Sequence, residues 1–328
     1  MNKLRILYAA GNTLNSKIQL TRFLEACKNL PYQIKVAAFK NFSPNVHVDW
    51  TLDCLLSVYE PSQYFLDNDN LKIYLDQIRL YQPDLIISDL EYFTTHCAFQ
   101  LNIPVWQCSS YLINFALTKK AKYNLGNFKY HSFLLNRNHK TVHKILNIVD
   151  NSNLKLIYSH FGDLENSPEI SQEYCWIRPY HRIGKLSKVC EHNIVCASVL
   201  PNKNLINLIK NYEDNVFFSD FVNEHYNNVL LKNFDNQTEY FCNLKNCKYF
   251  ICEGQTSFLA DAFYNQKLSI VLPNFNDAES IANSNISEKF NVSCTIANNN
   301  LVLSEKEVIT NLKDDVYYLH EIIEKKFN

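Results

Sequence analysis

Residues 248–290 read KYFICEGQTSFLADAFYNQKLSIVLPNFNDAESIANSNISEKF, and the alternation of short apolar runs with polar turns in this stretch decides the fold. Residues 249–252 are apolar, β-favouring and flanked by polar residues, which predicts a short buried strand. A helix follows at once. Thr256 and Ser257 are capping residues, and Phe258, Leu259, Ala262 and Phe263 recur at the spacing that buries one helical face. Residues 268–272 make a second buried strand, ended by Pro273, which has no N–H to give a sheet ladder. A loop over residues 274–277 then leads to a second helix holding Glu279, Ser280 and Asn283. The order β, α, β, α predicts an α/β domain with a parallel sheet.

In a parallel sheet, the turn after each strand and the start of the next helix face one crevice, where free backbone N–H groups attract anions. Gly254 removes a side chain where a phosphate would approach. Gln255, Thr256 and Ser257 offer N–H and hydroxyl donors, and Asp261 and Glu279 offer acceptors for ribose hydroxyls. A polar turn with one glycine also occurs in α/β proteins of every kind, and taken alone it is more often a structural turn.

Beyond its chemistry, the stretch resembles the C-terminal signature of nucleotide-sugar glycosyltransferases of the GT-B fold. The resemblance is to the branch holding the N-acetylglucosaminyltransferase of peptidoglycan synthesis and its bacterial, archaeal and phage relatives. The corresponding residues are Glu253 and Gly254 in the turn, Ser257, Asp261 before Ala262, Pro273, and Glu279, Ser280 and Asn283. Glu253 stands where the pattern has its first turn glycine, and Ser280 where it has glutamine. The resemblance implies two Rossmann-like domains facing a cleft, residues 1–186 on the acceptor side and 187–328 on the nucleotide-sugar side. It implies a last helix that packs back on the first domain.

The whole chain fits that size. Its 328 residues suffice for two cores, and 32 Lys and Arg against 33 Asp and Glu leave a net charge of −1. That balance gives no sign of wholesale binding to nucleic acid or anionic membrane. The 11 cysteines are odd in number and scattered in apolar runs, as expected of small core residues in a reducing compartment. Cys242 and Cys247 lack the partners of a zinc set, so no metal site is expected. No apolar run reaches the length of a membrane span. The expectation is a cytoplasmic protein, or one peripheral to a membrane.

In the first half, residues 4–10 predict a strand and residues up to 27 an amphipathic helix, joined by a turn at Gly11, Asn12 and Thr13. The resemblance puts this turn near the acceptor. Asp89 and Glu91 follow the apolar run of QPDLIISDLE, at the carboxyl end of a parallel strand, where ligands bind in open α/β sheets. Either can take a proton from an acceptor hydroxyl, and Asp89 can equally cap the helix starting near Tyr92. His160, in the exit loop after a strand over residues 154–158, is the other candidate base, having an ordinary pKa of about 6.5.

In the second half, Ser198 closes a strand over residues 192–198, in the loop the resemblance assigns to the diphosphate. Residues 303–326 predict one long amphipathic helix. The resulting expectation is a metal-independent glycosyltransferase that needs no cofactor. It would move a sugar from a nucleoside diphosphate donor, typically a UDP-sugar, to a hydroxyl on a glycan, a lipid-linked acceptor or modified DNA. Two alternatives stand beside it. One is a degenerate GT-B protein that binds a nucleotide sugar or glycan without catalysis, which Glu253 favours. The other is a nucleotide-sugar epimerase.

Overall fold

The structure is a computed structural model, describing residues 3–11, 13–39, 42, 46–52, 68–124, 139–184, 192–198, 203–210, 214–219, 229–233, 237–274, 277–289, 293–295 and 311–327. The first half runs β1 (Leu4–Ala9), α1 (Leu14–Cys27), β2 (Tyr32–Phe39), β3 (Trp50–Leu52), α2 (Asn68–Tyr81), β4 (Leu85–Ser88), α3 (Tyr92–Gln100) and β5 (Val105–Cys108). It continues with α4 (Ile113–Ala116), α5 (Lys119–Asn124), α6 (His139–Asp150), β6 (Leu154–Tyr158) and β7 (Tyr174–Ile177). The second half runs β8 (Ile194–Ala197), α7 (Lys203–Ile209), β9 (Asn215–Ser219), β10 (Leu230–Asn233), α8 (Gln237–Asn246) and β11 (Tyr249–Cys252). It ends with α9 (Thr256–Tyr264), β12 (Ser269–Val271), α10 (Ala278–Lys289), β13 (Ser293–Thr295) and α11 (Leu319–Phe327).

The strands form two sheets, ordered β3-β2-β1-β4-β5-β6-β7 and β10-β9-β8-β11-β12-β13, and all pairings between these strands are parallel. Parallel strands carry helices on both faces, so they read as unbroken apolar runs. In β1, Ile6 and Tyr8 face the core around Phe23, while Leu7 faces the one around Ile78 and Phe93. The second sheet repeats the arrangement, with Val195 and Phe250 on one side and Cys196 and Ile251 on the other. Each order reverses once, between β1 and β4 and between β8 and β11. A crevice opens at such a point, beyond the carboxyl ends of the strands.

The connection between the sheets leaves β7 at Ile177 and is pinned to both halves. The Tyr180 carbonyl accepts from Arg22 Nη1 at 2.7 Å and from Gln19 Nε2 at 3.2 Å, both on α1. Gly184 N–H donates to Asn265 Oδ1 at 2.8 Å, just beyond α9. A Cβ on Gly184 would lie 2.2 Å from the Phe241 carbonyl oxygen, so this crossing requires glycine.

The C-terminus departs from the expected single helix. Residues 303–310 lie outside the described residues, and residues 311–318 are not helical. Their backbone is paired with the first half instead: Leu312 bridges Leu164, and the Tyr317 carbonyl accepts from Arg178 N–H at 2.9 Å. Helix begins only at Leu319, where Glu321 accepts from Tyr318 N–H at 2.7 Å. Leu319 and Ile323 of α11 lie in the core of the first sheet beside Phe23.

Candidate functional site at the domain junction

Gly11, Asp89 and Ser109 follow β1, β4 and β5, on the two sides of the first reversal and at its neighbour. A Cβ on Gly11 would lie 2.7 Å from the Asp89 carbonyl oxygen and 3.1 Å from its Oδ2, so glycine lets the β1 turn close over this acid. Thr13 caps α1, accepting from Ser16 N–H at 3.0 Å. Asn12 lies outside the described residues. Asp89 is 8 % exposed. Burial raises its pKa to about 6, against the opposing effect of hydrogen bonds from Ser109 and Ser16. A carboxylate so placed is half ionised close to neutrality and can accept a proton.

The other two candidate bases are placed differently. Glu91, not Asp89, caps α3, its two oxygens accepting from Phe93 N–H at 2.8 Å and Thr94 N–H at 2.7 Å. Both carboxylate oxygens are thereby engaged. His160 lies in a 3₁₀ turn, not an open loop, packed against the rings of Phe161 and Phe263. Burial lowers its pKa to about 3, which makes it a weak base near neutrality.

Across the junction stands the N-terminus of α9. Gly254 takes φ +94°, and a Cβ there would meet the Ser280 carbonyl oxygen at 3.0 Å. Gly254→Ala should therefore lower stability by about 1–2 kcal/mol. A urea melt with an unchanged midpoint would refute that strain. Ser280 Oγ donates to the Glu253 carbonyl and accepts from Asn274 N–H. Asn283 Nδ2 donates to the Gly254 carbonyl and to Thr256 Oγ1, both at 3.0 Å. Ser198, fully buried, directly follows β8, with its N–H on the Phe218 carbonyl.

Sequence reading left the N–H groups of Thr256 and Ser257 free for an anion, and here they have partners. Thr256 N–H donates to Glu279 Oε1 at 2.8 Å, and Ser257 N–H to Asn15 Oδ1 at 3.1 Å. The reason is that α1 presents a second, polar face, Asn15, Gln19 and Arg22, to α9. Asn15 Nδ2 donates to Ser110 Oγ at 2.6 Å and Gln19 Nε2 to Ser257 Oγ at 3.1 Å. Arg22 grips Asp261 with Nη1 to Oδ1 at 2.8 Å and Nη2 to Oδ2 at 2.9 Å. Asp261, read as a ribose acceptor, thus spends both oxygens on a cation of the first domain. Burial still holds its pKa above the ordinary value, with Arg22 opposing.

Sequence reasoning missed this interdomain network. Its signal was present as a polar stripe on α1, which reads as a solvated face until its partner is known. Among the described residues, no group of three or more His, Cys, Asp or Glu is placed to hold a metal ion. Among them, too, no helix is long and apolar enough to cross a membrane. An open pocket of about 420 Å³, lined in part by Arg5, Lys35, Trp50 and Tyr81, lies toward the start of β1 and β2, away from the strand ends that carry this network.

No family model matches the chain. No curated protein matches it. Solved structures do. The glycosyltransferase SsfS6 of Streptomyces sp. SF2575, complexed with thymidine diphosphate, is 12% identical with a TM-score of 0.58, over 89% of this chain and 87% of that one. The spinosyn forosaminyltransferase SpnP is 13% identical, TM-score 0.56, over 89% and 85%. S. aureus MnaA, solved with UDP, is 11% identical, TM-score 0.50, over 83% and 79%. At such identities the likeness is one of fold. The chain has a glycosyltransferase-like GT-B fold, built from two Rossmann-like domains.

Proposed function

We propose that the chain is a glycosyltransferase moving a sugar from a nucleoside diphosphate donor to a hydroxyl acceptor. One observation carries this reading: Asp89, a buried acid just past the end of β4, is linked through polar side chains of the first domain to the N-terminus of α9. Asp89 bonds Ser109, and the next residue, Ser110, is tied through Asn15 to Ser257 of α9. The acceptor oxygen would attack the donor's anomeric carbon while Asp89 takes the acceptor proton. The bond from that carbon to the diphosphate breaks, and its electron pair leaves on the diphosphate oxygen. The N–H groups of Thr256 and Ser257, once Glu279 and Asn15 have moved off them, meet that negative charge, so the step needs no protein-bound metal. The fold shared with SsfS6 and MnaA, solved with thymidine diphosphate and UDP, supports a nucleotide at this junction.

A second reading, binding without transfer, is favoured by Glu279 on the α9 N–H group and by Glu253 in the turn. Mass spectrometry of donor hydrolysis separates the two. Incubated with UDP-, TDP- and GDP-sugars, an enzyme releases nucleoside diphosphate slowly without an acceptor, while a binder shows only thermal stabilisation, about 2.7 kcal/mol at a hundred times Kd. No release and no stabilisation with any of them would contradict both.

A further inference from the structure

We propose that Glu279 is an internal stand-in for the donor's phosphate, holding the α9 N-terminus until a nucleoside diphosphate displaces it. The inference rests on the transferase reading and concerns the regulation of that same site. Glu279 is 3 % exposed and comes from the first turn of α10, yet its carboxylate lies on Thr256 N–H, 23 residues earlier in the chain. A helix N-terminus favours an anion, and here the protein supplies its own.

Two further side chains show that the corner is made for more than a carboxylate. Gln255, the N-cap residue of α9, is 4 % exposed and Asn283 is 1 % exposed. Gln255 Oε1 and Asn283 Oδ1 are both buried acceptors without a hydrogen-bond partner. Asn283 is held at this corner by its bonds to Gly254 and Thr256. Buried acceptors left open are costly, and they call for a ligand that brings donors. A molecule with phosphate for the N–H groups and hydroxyls for the two amide oxygens satisfies both needs. That describes a phosphate ester of a nucleoside or sugar, whereas a simple anion satisfies only the first need.

Glu279 is poorly held as an anion. Asp277, whose Oδ1 accepts from Glu279 N–H at 3.0 Å, faces it from its own helix start. Thr256 faces it from α9 and Ser110 from the first domain, and burial followed by the charge of Asp277 raises its pKa. Glu253 lies beside the same corner, Gln255 Nε2 standing 3.4 Å from its Oε2 and 3.5 Å from Asp277 Oδ2. Glu279 is therefore weakly held on Thr256 N–H, and a ligand that also supplies donors to Gln255 and Asn283 can displace it.

Calorimetric titration of wild type, Glu279→Gln and Glu279→Ala with UDP, TDP and inorganic pyrophosphate tests the proposal. An internal competitor lowers apparent affinity by the fraction of time it holds the site, so both variants should bind the nucleotides about tenfold more tightly or better. Pyrophosphate should bind more weakly than either nucleotide throughout. Glu279→Gln keeps an oxygen for Thr256 N–H and guards against misfolding of the alanine variant. Hydrogen exchange on the wild type needs no variant: UDP should speed exchange over residues 277–281 as the α10 start is released. Variants that bind UDP as wild type does, or more weakly, overturn the proposal and leave the transferase reading intact. So does exchange over residues 277–281 that is unchanged or slowed by UDP. Absence of nucleotide binding by all three proteins overturns both.

Discussion

Asp89→Asn should reduce donor turnover by about 10²–10⁴-fold, the usual contribution of a positioned general base. It should do so while making the protein more stable at alkaline pH. The Asp89 carboxyl has its pKa raised by burial from 3.8 to about 6, so ionisation in the folded state is penalised. Such a group favours folding fully at pH below its unfolded value, and the benefit is lost as pH rises through 6. Between those limits the wild type forfeits up to about 3 kcal/mol. Asparagine is neutral throughout and escapes that loss. Thermal melts at pH 3 and pH 8 should therefore show an advantage for the variant only at pH 8. Wild-type turnover should rise with pH, half its maximum falling near pH 6. A variant that melts lower at both pH values and keeps its activity would make Asp89 a structural acid.

The second large effect concerns the clasp between domains. Arg22→Ala should destabilise the protein by about 3–5 kcal/mol, because it strands a buried carboxylate. Asp261 is only 1 % exposed and Arg22 5 %, so water cannot take the place of the missing partner. Replacing both together, Arg22→Met with Asp261→Leu, should recover most of that loss, since apolar packing often equals a buried ion pair. Urea unfolding of the two single variants and the double variant measures the coupling. A loss below 1 kcal/mol for Arg22→Ala would mean that the domains do not close as described.

Much of the fold was legible because parallel strands buried on both faces leave unbroken apolar runs. LIIS at β4, YFIC at β11 and IVCA at β8 are such runs, and the turns after them mark the strand ends. Residues whose role depends on distant partners were harder to place. Arg22 and Asp261 are 239 positions apart, and nothing local distinguishes α1's polar stripe from a solvated one. The α3 cap went to Glu91 because its longer side chain reaches back to two N–H groups, leaving Asp89 turned to Ser16 and Ser109. The expected helix over residues 303–326 failed over residues 311–318, where apolar spacing suits a helix but the backbone is claimed by Leu164 and Arg178. Glu279 was legible as a residue of the site, though not as the occupant of the N–H group it was expected to leave open.

The central claim is that a nucleoside diphosphate binds where the two domains meet, on the first N–H groups of α9. A crystal structure with UDP or TDP tests it most directly. Phosphate oxygens should lie about 3 Å from the N–H groups of Thr256 and Ser257, with Glu279 and Asn15 moved off them. A nucleotide bound elsewhere, for instance beside Lys35 and Trp50, with Glu279 still on Thr256, would contradict it.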